Sequence, residues 1–207
     1  MHELYVPRVC EVLDHEREPV VLVGHSSGGM IISEAAHERP ERVKVLVYVS
    51  AFLLPRGKSP REVMQEDGES ILLSCLIVDR EKGVSIVRSE RAREVFYSDC
   101  SDEDAAWAIS RLQPEPIIAP AASQGVTLAT LPDRTTEIPK VYIECLQDRA
   151  LGPATQQKMY SKSSCQKVYS LPTSHSPFLS APNELVRCLL DIEVTLRRLR
   201  PTTQVRD

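Results

Sequence analysis

The most constraining feature of this 207-residue sequence is the pentapeptide Gly24-His25-Ser26-Ser27-Gly28. It directly follows an apolar run at 20–23 and directly precedes a stretch with helical periodicity that begins at Gly29. This order predicts a strand, a sharp turn that carries a serine, and a helix. Ser26 would then stand at the tip of the turn, where a base and a substrate carbonyl can both reach its hydroxyl.

The residues around this serine suit a strained turn. We expect Gly24 and Gly28 to remove side chains that would clash where the strand and helix backbones approach each other. The helix directs its unpaired amides and the positive end of its dipole to the same place, so the backbone N–H of Ser27 is the expected first donor to an oxyanion. The alternative is a Gly/Ser-rich surface loop that fits the pattern by chance, and the flanking strand and helix argue against it.

Apolar runs that alternate with helical segments predict the architecture. The run at 43–49 is rich in β-branched residues and too apolar for a half-exposed strand. Such runs, separated by helices, indicate an α/β fold with a mostly parallel sheet covered on both faces. Further strands are predicted at 140–145 and 166–171, and helices at 3–15, 28–38, 153–161 and 182–198.

The segment from about 55 to 135 interrupts this alternation. It is polar and contains several prolines, with one clear helix signal at 102–112, where Ser101 is a plausible N-cap. We interpret residues 55–135 as a helical cap inserted over the carboxyl edge of the sheet. The sheet and its helices would then come from residues 1–54 and 136–207.

A serine nucleophile needs a base, and the base needs a group that orients it. Of the five histidines, His2 is terminal, and His15 and His37 lie on polar helix faces. His25 is expected to point away from the serine, which leaves His175, in the loop directly after strand 166–171. Asp148 is the first acid after strand 140–145. Because loops that follow parallel strands emerge at the carboxyl edge of a sheet, the loops of His175 and Asp148 should lie at the same edge as Ser26. Each role has an alternative. His175 could be an ordinary exposed loop residue, and Asp148 could be a turn residue or a surface partner of Arg149.

Composition excludes several classes of function. The formal net charge is −4, which gives no basic surface for nucleic acid. No apolar run approaches 18 residues and the amino end has no leader pattern, so a cytoplasmic protein without membrane attachment is expected. The six cysteines are scattered, with no histidine at ligand spacing, and predict no metal site.

From about residue 9 to 192 the chain resembles bacterial members of the α/β-hydrolase group that also contains plant methyl esterases, hydroxynitrile lyases and pyrethroid-hydrolysing carboxylesterases. The resemblance implies a carboxylesterase that acts on a small-molecule ester through an acyl-enzyme, without cofactor, with Ser26, Asp148 and His175 as its triad. Lyase members carry a lysine directly after the catalytic histidine, and Ser176 at that position argues against lyase chemistry. The resemblance rests on residues 22–30, 97–100, 142–149 and 175–178.

The amino end departs from this group. Members of the group carry additional strands at the start of the sheet and a His-Gly type loop that supplies a second oxyanion donor. This sequence is expected to lack both. Strand 20–23 would then be an exposed apolar edge, which favours pairing of two copies into a homodimer. The alternative functions are therefore a catalytically weak or inactive fragment of the fold and, third, a hydroxynitrile lyase.

Overall fold

A computed structural model describes residues 2–117, 135 and 137–199 of the chain. The strands in these residues are β1 (Val20–Ser26), β2 (Val43–Ala51), β3 (Leu76–Asp79), β4 (Val84–Val87), β5 (Glu115–Pro116), β6 (Lys140–Cys145) and β7 (Lys167–Leu171). The helices are α1 (His2–His15), α2 (Gly28–Glu38), α3 (Pro60–Glu66), α4 (Leu72–Cys75), α5 (Ser89–Phe96), α6 (Asp102–Ile109), α7 (Pro153–Ser161), α8 (Pro177–Ser180) and α9 (Pro182–Leu199).

Four parallel strands form the main sheet in the order β1-β2-β6-β7. All residues of β2 except Lys44 are buried, which explains its nearly continuous run of β-branched and apolar residues. Strand β6 has the predicted bounds. Strands β1 and β2 continue beyond their apolar runs to Ser26 and Ala51, because their backbones keep pairing after the apolar side chains end.

Helices cover both faces of this sheet, as predicted. Alternate residues of β2 point to opposite faces, and each set joins a separate apolar cluster. On one face Tyr48 lies in a cluster with residues of α1, α2 and α7, including the fully buried Ala35. On the other face Val47 lies in a cluster with Ile192 of α9. The α/β architecture predicted from the sequence is therefore confirmed.

Strand β1 lies at the edge of the sheet that the described residues form. It pairs with β2 on one side, and its Val23 side chain is 43% exposed. The predicted edge position of this strand is thus confirmed. Pairing of two copies through this edge stays a prediction.

The segment between β2 and β6 contains more than helices. Helices α3–α6 occur with a three-stranded antiparallel sheet, β3-β4-β5, that the sequence analysis did not predict. The helix signal at 102–112 corresponds to α6, whose N-cap Ser101 accepts a hydrogen bond from the Asp104 amide at 3.0 Å. Residues 118–134 lie outside the described residues, so the boundaries of the cap and core remain predictions.

The described part of the chain has neither a membrane-spanning helix nor a cluster of metal-ligand side chains. None of its helices combines the length and the apolar character that a bilayer crossing requires. No three histidine, cysteine or acidic side chains in it converge on a common point. All six cysteines are free thiols, and four of them are buried.

Candidate active site

Ser26 occupies a strained position between β1 and α2. Its φ angle is 54°, in the left-handed region that residues other than glycine rarely adopt, and Ser27, the N-cap of α2, already has a helical φ of −58°. A Cβ added to Gly24 would lie 2.7 Å from the carbonyl oxygen of Gly28. The strand and helix backbones therefore meet so closely at this turn that only glycine fits at position 24.

The second close approach involves Gly29 and not the predicted Gly28. A Cβ added to Gly28 would meet nothing within 4 Å, whereas one added to Gly29 would lie 2.5 Å from the carbonyl oxygen of Phe52. The reason is the direction of each Cα–Cβ bond on the first turn of the helix. Gly28 faces a surface cavity that it lines together with Ser27, and Gly29 faces the end of β2. The prediction for Gly28 was therefore wrong.

Asp148 lies buried in the turn after β6, where only 2% of its surface is exposed. Its Oδ1 accepts hydrogen bonds from the amides of Ala150 and Leu151 at 2.7 and 2.9 Å, and its Oδ2 accepts one from the hydroxyl of Ser50. Arg149 pairs instead with Glu94 at 2.6 Å. The alternative of a surface ion pair between Asp148 and Arg149 is therefore wrong.

His175 is the partner of this carboxylate. Its Nδ1 lies 2.7 Å from Oδ2 of Asp148, and 2% of the histidine is exposed. Burial alone raises the pKa of the Asp148 carboxyl, but His175, Ser50 and the Leu151 amide outweigh this effect and hold that pKa below its ordinary value. Because an ionised carboxylate only accepts, Nδ1 of His175 donates, which leaves its Nε2 free to accept a proton.

The side chain of His25, which was expected to point away from Ser26, contacts His175. Its Nε2–H donates to the backbone carbonyl of His175 at 2.8 Å, and the two ring centroids lie 4.5 Å apart. The ring of Phe178 packs edge-on against that of His25, with 5.0 Å between the centroids. Burial, and then the charge of His175, lowers the pKa of His25 to about 3. His25 is therefore a neutral support of the His175 loop.

The carboxyl ends of three strands bring these groups to one edge of the sheet. Ser26 ends β1, Asp148 follows β6, and His175 follows β7. The Ser26 hydroxyl makes no hydrogen bond to His175 among the residues that the structure describes. Hydrogen bonds between catalytic side chains are often long in ligand-free enzymes and shorten when substrate binds. The lack of a bond between Ser26 and His175 is therefore compatible with a catalytic role for both side chains.

Two acidic side chains from the segment after α3 hold the turn that carries Asp148. Asp67 accepts a hydrogen bond from the Gly152 amide and Glu69 accepts one from the Ala154 amide, both at 2.8 Å. The approach is tight, because a Cβ added to Gly152 would lie 2.6 Å from Oδ1 of Asp67. The start of α7, and with it the acid turn, is thus fixed by residues far away in the sequence.

Ser50, which the sequence pattern did not indicate as a site residue, contacts Asp148. It is fully buried at the end of β2 with φ 38°, and its hydroxyl donates to Asp148. The available signal was a polar serine at the carboxyl end of a strand that is otherwise almost entirely apolar. The sequence pattern likewise indicated no role for Asp99, which accepts two hydrogen bonds from Ser174.

The parallel sheet and the strained serine turn define an α/β hydrolase. The family model for the alpha/beta hydrolase family matches residues 3–187, so the chain belongs to that family. It is 32% identical over 200 residues to a pyrethroid hydrolase of Sphingobium wenxiniae, and 29% identical over 195 residues to methylesterase 17 of Arabidopsis thaliana. The predicted membership of this esterase group is therefore confirmed.

These alignments cover most of the chain and a smaller share of the relatives. They include 91% of the chain and 69% of the pyrethroid hydrolase, and 87% of the chain and 68% of methylesterase 17. For a putative methylesterase 14 of A. thaliana, 27% identical, the chain spans 57% of the relative.

Solved structures give the same relationship. A pyrethroid hydrolase from Sphingobium faniae JZ-2 superposes with a TM-score of 0.76 at 31% identity, over 92% of the chain and 76% of that structure. Because the named relatives are esterases and hydrolases of this group, the chain is a carboxylesterase-type member of the family.

Proposed function

We propose that the protein is a serine hydrolase that cleaves carboxylic esters of small molecules through an acyl-enzyme intermediate. The observation that carries the proposal is the buried Asp148–His175 pair, which lies at the sheet edge where Ser26 occupies its left-handed turn. A buried carboxylate that accepts from Nδ1 of a histidine holds the imidazole in the tautomer that a general base needs. The named relatives, which include methylesterases and a pyrethroid hydrolase, support an ester substrate.

In the proposed reaction Oγ of Ser26 attacks the ester carbonyl carbon while Nε2 of His175 accepts the hydroxyl proton. Asp148 stays ionised and stabilises the imidazolium. When the tetrahedral intermediate collapses, the ester C–O bond breaks and the imidazolium protonates the leaving alkoxide. Water, deprotonated by His175, then attacks the acyl-Ser26 carbonyl. The bond from the acyl carbon to Oγ breaks, the imidazolium returns its proton to Ser26, and the carboxylic acid leaves.

The start of α2 would stabilise the oxyanion. The amide of Ser27 lies in the first turn, where backbone N–H groups have no partner within the helix, and the helix dipole adds positive potential. One such donor contributes about 2.7–4 kcal/mol to the transition state. Beside it lies a surface cavity of about 210 Å³ lined by Tyr5, Ser27, Gly28, Ile31, Glu115 and Pro116.

Replacement of the serine tests the proposal. Ser26→Ala should lower kcat on p-nitrophenyl acetate by at least about 10³-fold, since it removes the nucleophile, and should abolish labelling by a fluorophosphonate probe. The matched control is Ser164→Ala, because Ser164 also has a left-handed φ of 51° but is exposed and precedes β7, at the edge of the sheet opposite the pair. A Ser26→Ala protein with the activity of the parent would overturn the proposal.

A second candidate is a catalytically weak or inactive member of the fold. The observation that favours it is the position of β1, the strand that carries Ser26, at the edge of the described sheet. Rates of fluorophosphonate labelling separate the candidates, because rapid reaction at Ser26 requires an activated hydroxyl. Labelling no faster than that of an exposed serine would support the weak form. Cleavage of mandelonitrile tests the lyase, against which Ser176 argues.

A further inference from the structure

One carboxylate of the segment between β2 and β6 reaches the loop that carries His175. Asp99, between α5 and α6, accepts the Ser174 amide on Oδ2 at 2.8 Å and the Ser174 hydroxyl on Oδ1. Ser174 directly precedes His175 and is 1% exposed, whereas Asp99 is exposed. An exposed side chain thus places both of its oxygens on one buried residue, 75 positions away in the sequence.

This contact fixes the backbone on one side of the histidine. On the other side, the carbonyl of His175 accepts from Nε2 of His25 at 2.8 Å, and the imidazole itself donates to Asp148 at 2.7 Å. The Ser174 amide is buried and needs an acceptor, and a charged acceptor forms a stronger bond than a neutral one. The ring of Phe96, from the same segment as Asp99, also packs 5.4 Å from the ring of His175.

We propose that Asp99 is a positioning residue: through Ser174 it sets the imidazole of His175 against Asp148. The proposal rests on the proposed function, in which His175 is the general base. It gives residues 97–100 a physical role that the sequence pattern alone left open. An error of about 1 Å in the place of a catalytic group can cost about 10²-fold in rate, so loss of this contact should affect turnover and not substrate binding.

Steady-state kinetics on p-nitrophenyl acetate give the first test. Asp99→Ala should lower kcat by about 10–100-fold with little change in KM. Asp99→Asn should recover most of that loss, because its amide oxygen can accept from the Ser174 N–H and its NH₂ group can donate to the hydroxyl. The matched control is Asp102→Ala, because Asp102 lies three residues away with a 97% exposed side chain that pairs with Arg93, and kcat should not change.

The proton shared by His175 and Asp148 gives a second measurement that needs no turnover. In proton NMR the Nδ1–H of His175 should give a far-downfield signal, absent in Asp148→Asn. This signal should broaden or shift in Asp99→Ala and stay in place in Asp99→Asn, Asp102→Ala and Ser26→Ala. A purely structural tether would lower stability in urea without moving this signal.

The two measurements separate the failure of this proposal from the failure of the proposed function. If Ser26→Ala stays active but Asp99→Ala still moves the signal, only the hydrolase mechanism fails. If Ser26 is the nucleophile but Asp99→Ala keeps the kcat and the signal of the parent, or raises KM alone, the positioning role is overturned. Should Asp99→Ala not fold, Ser174→Ala decides, since it removes the hydroxyl contacts to Asp99 and to the Phe96 carbonyl and keeps the amide bond to Asp99. A lower kcat with a shifted Nδ1–H signal supports the proposal, and an unchanged kcat and signal overturn it.

Discussion

The serine turn and the histidine loop are built in opposite ways. The turn takes most of its shape from residues nearby in sequence, since Gly24 faces the backbone of Gly28 four residues later and Gly29 faces that of Phe52, 23 residues later. The loop takes its shape from distant residues, because His175 and its neighbour Ser174 are held by side chains 27, 75 and 150 positions away. A local pattern therefore fixes the place of Ser26, the proposed nucleophile, whereas the place of His175, the proposed base, depends on correct packing of much of the fold.

This difference predicts how the two regions respond to substitution. A change within the turn should act on the backbone and therefore on stability, because the strain is steric. A change around the loop should act on the orientation or protonation of a buried ring. Its main effect should then appear in turnover or in pH dependence.

The largest effect is expected at the acid. Asp148→Asn should lower kcat by about 10⁴-fold while the fold persists, because an amide can donate to Nδ1 and so favours the wrong tautomer of His175. Steady-state kinetics and circular dichroism measure the two effects. Glu144→Gln is the matched control, since Glu144 accepts bonds from Tyr160 and Ser170 at the end of the same strand and should not affect kcat. Comparable losses in both variants would contradict the assignment.

A pair of glycines tests the turn. Gly24→Ala should lower the free energy of unfolding by about 1–3 kcal/mol, because its methyl group would lie against the backbone of Gly28. Gly28→Ala should change it by less than about 0.5 kcal/mol, since the methyl group would enter open space. Urea unfolding followed by circular dichroism measures both. Equal losses would mean that the pentapeptide acts as a unit and that strain is not confined to position 24.

Acid should weaken the fold through His25. Its pKa falls to about 3 in the folded state, so between that pH and 6.5 the unfolded chain binds a proton that the folded chain does not, and stability falls as pH falls. From pH 7 to pH 5 this one group should cost about 2 kcal/mol. His25→Gln, which keeps an N–H donor for the His175 carbonyl, should lose that share of the pH dependence. Urea unfolding at the two pH values measures it, and equal slopes for parent and variant would contradict the assignment.

Much of the fold was predictable because its signals are local. Strand β6 and helix α7 have the predicted bounds, since an apolar run flanked by turn residues and a proline at the helix start mark their ends. The sheet β3-β4-β5 was missed, because its short strands lie among polar residues and carry little periodicity. The α/β architecture followed from the long buried strands.

The site was predictable only where position along a strand decides it. The contact between Asp148 and His175 could be anticipated because loops after parallel strands share one edge. The direction of His25 and the contact of Ser50 depend on side-chain rotamers and on left-handed backbone, neither of which a residue pattern encodes. Asp99 was missed for a different reason: its partner is 75 residues away, and no local signal joins the two.

Acidic side chains from the segment between β2 and β6 reach the turn that carries Asp148 and the loop that carries His175, and this affects how the enzyme can be re-engineered. Exchange of residues 55–117 for those of another family member, in order to alter which esters are accepted, would also replace Asp67, Glu69 and Asp99. A chimaera could then bind a new ester and still turn over slowly, because the contacts that position Asp148 and His175 would be lost. Libraries that hold these three positions constant and vary the residues between them should separate selectivity from turnover.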